Sequence, residues 1–197
     1  DRTCSGQSQI DTDDGYSLTL PYTYCNGLTT NGEEFSIQYY FAQNSICVEA
    51  LDYSFSGIKQ IKQKINNNNL SKFVTTKIFD IRNKIPFQDN SVEAFYSHML
   101  YCMALTSKEI EKLNNEIHRV LKPGGINIYT VRHIKDGDYQ KGIHRGEDLY
   151  ENDGFIVHFF SKEKVNSLLG GFKNILIEEF EEGDFPRKLY FVINKKL

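Results

Sequence analysis

Apolar and polar residues change period several times along this chain, and the changes mark out its elements. Ile58, Ile61 and Ile65 lie three and four apart, on one face of a helix that Ser54 is placed to cap. Ile110, Leu113, Ile117, Val120 and Leu121 repeat the pattern. Thr106, followed three residues on by Glu109, has the form of a capping box for that second helix. Lys122-Pro123-Gly124-Gly125 predicts its end, since proline lacks the amide donor and glycine tolerates positive φ. A third helix is predicted over 160–169, stopped by Gly170-Gly171. Short β-prone runs separate the helices at 46–51, 73–81, 92–97, 126–131, 174–180 and 189–194.

Strands alternating with helices predict a parallel sheet with right-handed crossovers. The last two strands, joined by a turn holding Gly183 and Pro186, should pair antiparallel. The first 45 residues are less patterned. Residues 1–16 are polar and rich in Gly, Ser and Asp, which predicts loop. Residues 18–24 suit a strand that Pro21 demotes towards an edge. Over 33–43, an apolar face of Phe35, Tyr39, Tyr40 and Ala42 suits a helix. Residues 133–159 form one long unpatterned stretch, which predicts a lid or binding loop.

A length of 197 residues suits one domain spanning 1–197, long enough to bury a substantial core. At 40% hydrophobic and 25% charged residues, the composition argues against a disordered chain. A net charge of −3 gives no basic footprint, so no nucleic-acid partner is expected. No apolar run approaches the roughly 18 residues a membrane span needs, and no signal peptide is visible, so a cytoplasmic protein without a membrane partner is expected. Cys4, Cys25, Cys47 and Cys102 show no zinc spacing. Cys47 and Cys102, in apolar surroundings, are read as buried free thiols in a reducing compartment.

Several polar residues stand where chemistry is done. Asp52 closes a predicted strand, where an acid in a nucleotide-binding sheet accepts hydrogen bonds from ribose hydroxyls; the plainer reading is a solvated acid at a helix start. Asp80 closes the next, within Phe79-Asp80-Ile81-Arg82-Asn83-Lys84-Ile85-Pro86-Phe87, and its plainer reading is a surface pair with Arg82 or Lys84. Ser97-His98-Met99 closes the one after. His98 is a candidate to orient substrate or accept a proton, against a packed histidine. The long loop gathers Arg132, His133, Tyr139, Arg145 and His158, and Arg132 or Arg145 could hold an anionic group. The spacing of His133, His158 and the nearby acids fits no helical ligand pair, so no metal is expected.

Arg119-Val120-Leu121-Lys122-Pro123-Gly124-Gly125 closely resembles a signature of class I S-adenosylmethionine-dependent methyltransferases, where it joins the fourth major helix to the fifth strand. Residues 48–54 and the Asp-x-x-x-x-Ile-Pro-Phe run from Asp80 resemble two further segments of that family. The 133–160 loop and Arg187-Lys188-Leu189 are similar to those of a small-molecule subgroup akin to tellurite-resistance methyltransferases. The resemblance covers 46–197. It implies an α/β, Rossmann-like three-layer sandwich with a seven-stranded mixed sheet, the last strand pair antiparallel. It implies S-adenosylmethionine as cofactor and methyl transfer to a small-molecule acceptor. Asp52, Tyr53, Asp80, Ile81 and Ser97 would then meet the cofactor. His98, His133 and His158 would be catalytic candidates, and Arg132, Tyr139 and Arg145 would face substrate.

One family motif does not match. A glycine-rich loop of the form Asp-x-Gly-x-Gly-x-Gly should precede Asp52 by about 20 residues. Its nearest remnants are Cys25-Asn26-Gly27 and Asn31-Gly32, which leaves Gly27 and Gly32 as the candidate cofactor glycines. Glu33 and Phe35 fall near expected glycine positions, where a Cβ would crowd the cofactor. Three accounts stay open: a rebuilt loop that still binds, a degenerate Rossmann-like ligand-binding domain that has lost the cofactor, and a rearranged reading of the first 45 residues. A nicotinamide-dependent oxidoreductase also lacks its Gly-x-Gly-x-x-Gly here, and the Asp80 and Pro-Gly-Gly motifs count against it.

Overall fold

The structure is a computed structural model and describes residues 9–11, 17–19, 22–26, 36–183 and 187–197. In chain order its elements are β1 (Gln9–Asp11), β2 (Ser17–Thr19), β3 (Tyr22–Asn26), α1 (Ser36–Gln43), β4 (Cys47–Asp52), α2 (Phe55–Asn67), β5 (Val74–Ile78), β6 (Val92–His98), α3 (Ser107–Val120), β7 (Leu121–Arg132), β8 (Ile143–His144), β9 (Leu149–Asn152), β10 (Phe155–His158), α4 (Lys162–Ser167), β11 (Phe172–Glu182) and β12 (Arg187–Lys196). A single 3-10 turn, Leu100–Cys102, follows β6.

The large sheet runs in the order β11-β12-β7-β6-β3-β4-β5. Strands β3 to β7 within it are parallel, while β12 pairs antiparallel with both β7 and β11. A core layer lies on each face. Ile110, Leu113, Ile117 and Val120 of α3, with Val165 of α4, join Phe95, Tyr129 and Val131 on one side. Phe41 and Ala42 of α1 and Ile61 and Ile65 of α2 join Val48, Ala94, Ile126 and Ile128 on the other. This is the expected α/β sandwich. Each of the four α3 side chains contributes about 1.5–3 kcal/mol by leaving water.

Local chemistry fixes the ends of these helices. Ser54 accepts from the Gly57 N–H at the start of α2, and Thr106 with Glu109 completes both halves of the capping box on α3. After Val120, Gly124 sits at φ +77, and a Cβ on Gly125 would lie 2.9 Å from two backbone oxygens, those of Glu93 and Lys122. The chain therefore drops from α3 into β7, whose residues 125–132 are all buried because both faces of the sheet are covered. Asn127 is tolerated there because its amide donates to the Tyr101 hydroxyl at 3.2 Å.

Several expectations are corrected. Residues 133–159 are not irregular throughout: 133–142 is a run of turns, but β8, β9 and β10 form a three-stranded antiparallel sheet. The β9–β10 hairpin turns on Asp153 and Gly154, both at positive φ, the two-residue Asp-Gly signal of a tight hairpin. Residues 1–16 are not all loop, since Gln9–Asp11 pairs with Ser17–Thr19. The 18–24 run divides between two sheets, and its second part, in β3, is an internal strand between β4 and β6 rather than an edge. In α1 the buried face is Phe41 and Ala42, while Tyr40 is 55% exposed. Cys102 is a buried free thiol, its pKa pushed up to about 12 by burial. Cys47 is instead disulfide-bonded. Sequence spacing cannot foresee such a bond, which depends on the approach of two Cα atoms in the fold. Among the described residues, no helix is long and apolar enough to cross a membrane.

Candidate functional site

The parallel strands deliver their carboxyl ends to one edge of the sheet. From β3 the chain steps outward through β4 and β5, whereas β6 and β7 lie on the other side of β3. The order therefore reverses between β3 and β6, the switch point where open α/β sheets bind ligands. Asn26 at the end of β3 is in register with Ser97 at the end of β6. The Ser97 hydroxyl is fully buried there and has no hydrogen-bond partner among the described residues.

Next along that edge is Asp52, 4% exposed. Its Oδ1 accepts from the Ser54 N–H at 2.7 Å, which turns the chain into α2 and aims the carboxylate along the edge. Burial pushes its pKa up, and the backbone hydrogen bond from Ser54 only partly opposes this. Tyr53, beside it, is 67% exposed. Asp80 follows β5 and is paired with Arg82. Arg82 grips it with Nε and Nη2, the latter at 2.6 Å, and the Arg82 N–H adds a bond to Oδ1 at 3.0 Å. That side-chain hydrogen bonding holds the Asp80 carboxyl below its ordinary range. Ile81 tucks against the core layer of α3.

His98 ends β6 and is held from two sides. Its Nδ1 lies 2.9 Å from Thr130 Oγ1, and its Nε2 lies 3.4 Å from Glu182 Oε2. Thr130 Oγ1 also accepts from the Met99 N–H at 3.0 Å. Neither Thr130 nor Glu182 was singled out from the sequence. Their relation to His98 arises from strand register, His98 opposite Thr130 across β6 and β7.

The residues of the 133–159 segment divide into separate clusters. Arg132 is buried, with Asp136 Oδ2 at 3.2 Å from Nε and Asp138 Oδ2 at 2.8 Å from Nη2. Asp136 also accepts from the Lys188 N–H at 2.7 Å. Burial acts to raise the Asp136 carboxyl, but the Arg132 hydrogen bonds and charge, together with the Asp138 and Lys188 N–H groups, outweigh it and hold it low. His133 lies against Tyr190 with ring centres 4.3 Å apart, and its Nδ1 accepts from the Lys135 N–H at 2.7 Å. His158 is fully buried. Its Nδ1 donates to the Leu105 carbonyl at 2.6 Å, and its Nε2 accepts from the Lys164 ammonium. Lys164 also reaches Asp148, 3.2 Å away, and the Tyr139 hydroxyl donates to the same carboxylate at 3.1 Å. The structure thus brings Tyr139 and His158 together through Asp148 and Lys164. Arg145 pairs with Glu151 within the small sheet. Gly27 and Gly32 lie outside the described residues. Among the described residues, no group of three or more His, Cys, Asp or Glu could hold a metal ion.

A family model described as a methyltransferase domain matches residues 32–129. The chain belongs to the class I S-adenosylmethionine-dependent methyltransferases. The match begins at residue 32, before the start of the resemblance read from the sequence, so α1 belongs to the family's pattern as well. No match was found among curated proteins. A solved S-adenosylmethionine-dependent methyltransferase from Methanosarcina mazei superposes with a TM-score of 0.73 at 17% identity, covering 89% of this chain and 92% of that one. A putative S-adenosylmethionine-dependent methyltransferase from Listeria monocytogenes gives 0.66 at 15% identity, with 90% and 91% covered. A Burkholderia thailandensis 1,6-didemethyltoxoflavin-N1-methyltransferase, solved with 1,6-didemethyltoxoflavin and S-adenosylhomocysteine, gives 0.64 at 11% identity, with 90% and 71% covered. At these identities the likeness is one of fold.

The methyltransferase edge described above suits the family's cofactor in its polar chemistry. A buried carboxylate at the end of β4 and an orphaned buried hydroxyl at the switch point are groups that a ribose and the polar tail of such a ligand would satisfy.

Proposed function

We propose that this methyltransferase transfers the methyl group of S-adenosylmethionine to a small-molecule acceptor. The observation that carries this reading is the buried Asp52 carboxylate beside the switch point, in a chain of this family. Bound at that edge, the cofactor would supply a sulfonium methyl group open to in-line attack. Asp52 would accept from the ribose hydroxyls and Ser97 would complete its hydrogen bonds to the ligand. The Asp80 carboxylate and the backbone at Ile81 would meet the adenine edge, with Tyr53 beside the ribose.

The side chains on the substrate side favour alignment over proton transfer. Held between Thr130 and Glu182 at the end of β6, His98 would orient the acceptor. His158 has both nitrogens engaged, and Arg132 is saturated by Asp136 and Asp138, so these two hold the covering segment in place. Rate enhancement would come from holding nucleophile and methyl group in line and from excluding water beneath β8–β10.

Titration calorimetry tests the reading. Binding of S-adenosylhomocysteine, and not of NAD, is expected. No heat at millimolar S-adenosylhomocysteine or S-adenosylmethionine would reject it. Methyl-transfer assays over panels of small thiols, amines and hydroxylated compounds then identify the acceptor class.

A further inference from the structure

Helix α3 carries a polar stripe, exposed at Lys112 and half-buried at Glu116 and Arg119, that does not cap the helix. Lys112, Glu116 and Arg119 lie at i, i+4 and i+7, and each bonds to the backbone of the segment that follows β5. Lys112 Nζ donates to the Arg82 carbonyl at 3.0 Å. Glu116 Oε2 accepts from the Ile85 N–H at 2.9 Å. Arg119 forks to two carbonyls, that of Ile85 at 2.9 Å from Nη2 and that of Phe87 at 3.0 Å from Nη1. Glu116 and Arg119 also bond to each other, at 2.8 and 3.0 Å, so neither side chain is free to drift.

The segment being gripped supplies little order of its own. It holds no helix or strand, and two internal backbone hydrogen bonds are made within it, Asn83 N–H to Asp80 at 3.0 Å and Phe87 N–H to Ile85 at 2.8 Å. Ile85, 1% exposed, anchors it in the core, and Phe79, Ile81 and Phe87 rest on that core. Apolar anchors fix where such a loop sits, but they leave its peptide planes free to rotate. The four bonds from α3 remove that freedom. The Asp80 carboxylate depends on them too, because Arg82, which grips it, has its own carbonyl pinned by Lys112.

We propose that Lys112, Glu116 and Arg119 are positioning residues for base recognition: the stripe orients the loop that carries Asp80 and Ile81, and so sets how selectively the cofactor's adenine is bound. The inference rests on the cofactor site proposed above. Arg119→Lys is the informative variant, since an ammonium keeps the charge but cannot reproduce the planar fork across two carbonyls. Glu116→Gln removes the ion pair and leaves an acceptor for the Ile85 N–H.

The test compares S-adenosylhomocysteine with S-inosylhomocysteine, which carries a carbonyl in place of the adenine amino group, by calorimetry on the wild-type protein and both variants. Wild type should favour the adenine ligand. In Arg119→Lys the affinity for S-adenosylhomocysteine should fall about tenfold while the inosine ligand loses far less, so that the ratio between them collapses. Hydrogen exchange at Ile85 should accelerate in both variants. Mere loss of fold stability would weaken both ligands together and leave the ratio unchanged, and that result, or unchanged affinity for both, overturns the proposal. Wild-type protein that binds neither ligand rejects the cofactor site itself.

Discussion

Glu147 reaches across forty residues of sequence to the start of α3, where its Oε2 accepts from the Ser107 N–H at 2.8 Å and from the Ser107 hydroxyl at 2.5 Å. Ser107 is the first residue of the helix, so its N–H is one of the donors a helix leaves unpaired, and a carboxylate there also meets the positive end of the helix dipole. The Ser107 hydroxyl bond holds the Glu147 carboxyl below its ordinary range. The connection ties the small β8–β10 sheet to the main domain beside His158, whose Nε2 lies 3.7 Å from the same carboxylate oxygen.

If that tie seats the small sheet, Glu147→Ala should loosen it before it loosens anything else. The expected stability loss is about 1 kcal/mol, typical of a lost helix-end acceptor. Amide exchange over residues 143–158 should accelerate while that of β4 and β6 stays as in wild type. Equal acceleration throughout would mean that the contact supports the whole fold and not the covering segment.

His158 gives a pH dependence of known sign. Burial lowers its pKa below the ordinary 6.5, an effect that the Leu105 hydrogen bond only partly opposes. Between the lowered value and 6.5, the unfolded chain binds a proton that the folded protein refuses. Stability from this source is complete above about pH 6.5 and falls as pH drops through that window. His133 and His118 are lowered for the same leading reason and act in the same direction. Urea unfolding at pH 7.5 and pH 5.5 should show a lower midpoint at the acid pH. His158→Gln should reduce this difference, and an unaltered difference would remove His158 as its source.

The parts of this molecule that could be read from the chain are those whose causes are local. The α3 capping box needs only Thr106 and Glu109, and the stop after Val120 needs only Pro123 and two glycines. The close of β4 at Asp52 followed from a six-residue strand and a capping serine. The small sheet escaped because its strands are two to four residues long, too short for a period to show. Its hairpin signal, Asp153-Gly154, was nonetheless present. The partners of Arg132 were hidden for a different reason. A loop arginine looks available for substrate until the fold shows two carboxylates already on it. His98 could be placed at a strand end, but its hydrogen bond with Thr130 runs across the sheet, which no spacing along the chain encodes.

The Arg132–Asp136 pair should matter to stability more than to substrate affinity. Both side chains are buried, and Asp136 also holds the Lys188 N–H. Removing the Asp136 charge leaves buried Arg132 only the half-exposed Asp138 carboxylate, which costs up to about 3–5 kcal/mol. Asp136→Asn should therefore lower the urea midpoint strongly. In conditions where the variant remains folded, the KM for the methyl acceptor should stay within about twofold of wild type. A selective rise in KM with little loss of stability would return Arg132 to the substrate site.

Asp52 should trade stability for binding. Its folded pKa is raised above the ordinary 3.8 by burial, so at pH 7 the ionised carboxylate costs the folded state free energy that the unfolded chain does not bear. Asp52→Asn removes that charge while an amide oxygen can still accept from the Ser54 N–H at the Oδ1 position. The variant should melt at a higher temperature than wild type at pH 7, and the gain should shrink as pH falls through the raised pKa. Ligand binding should move the other way. Hydrogen bonds from ribose hydroxyls to a charged acceptor are worth about 1.5–3 kcal/mol, so S-adenosylhomocysteine should bind roughly 10- to 100-fold more weakly. A raised melting temperature with unchanged affinity would show a buried acid without a ligand. A lowered melting temperature would show that the charge itself holds the turn into α2.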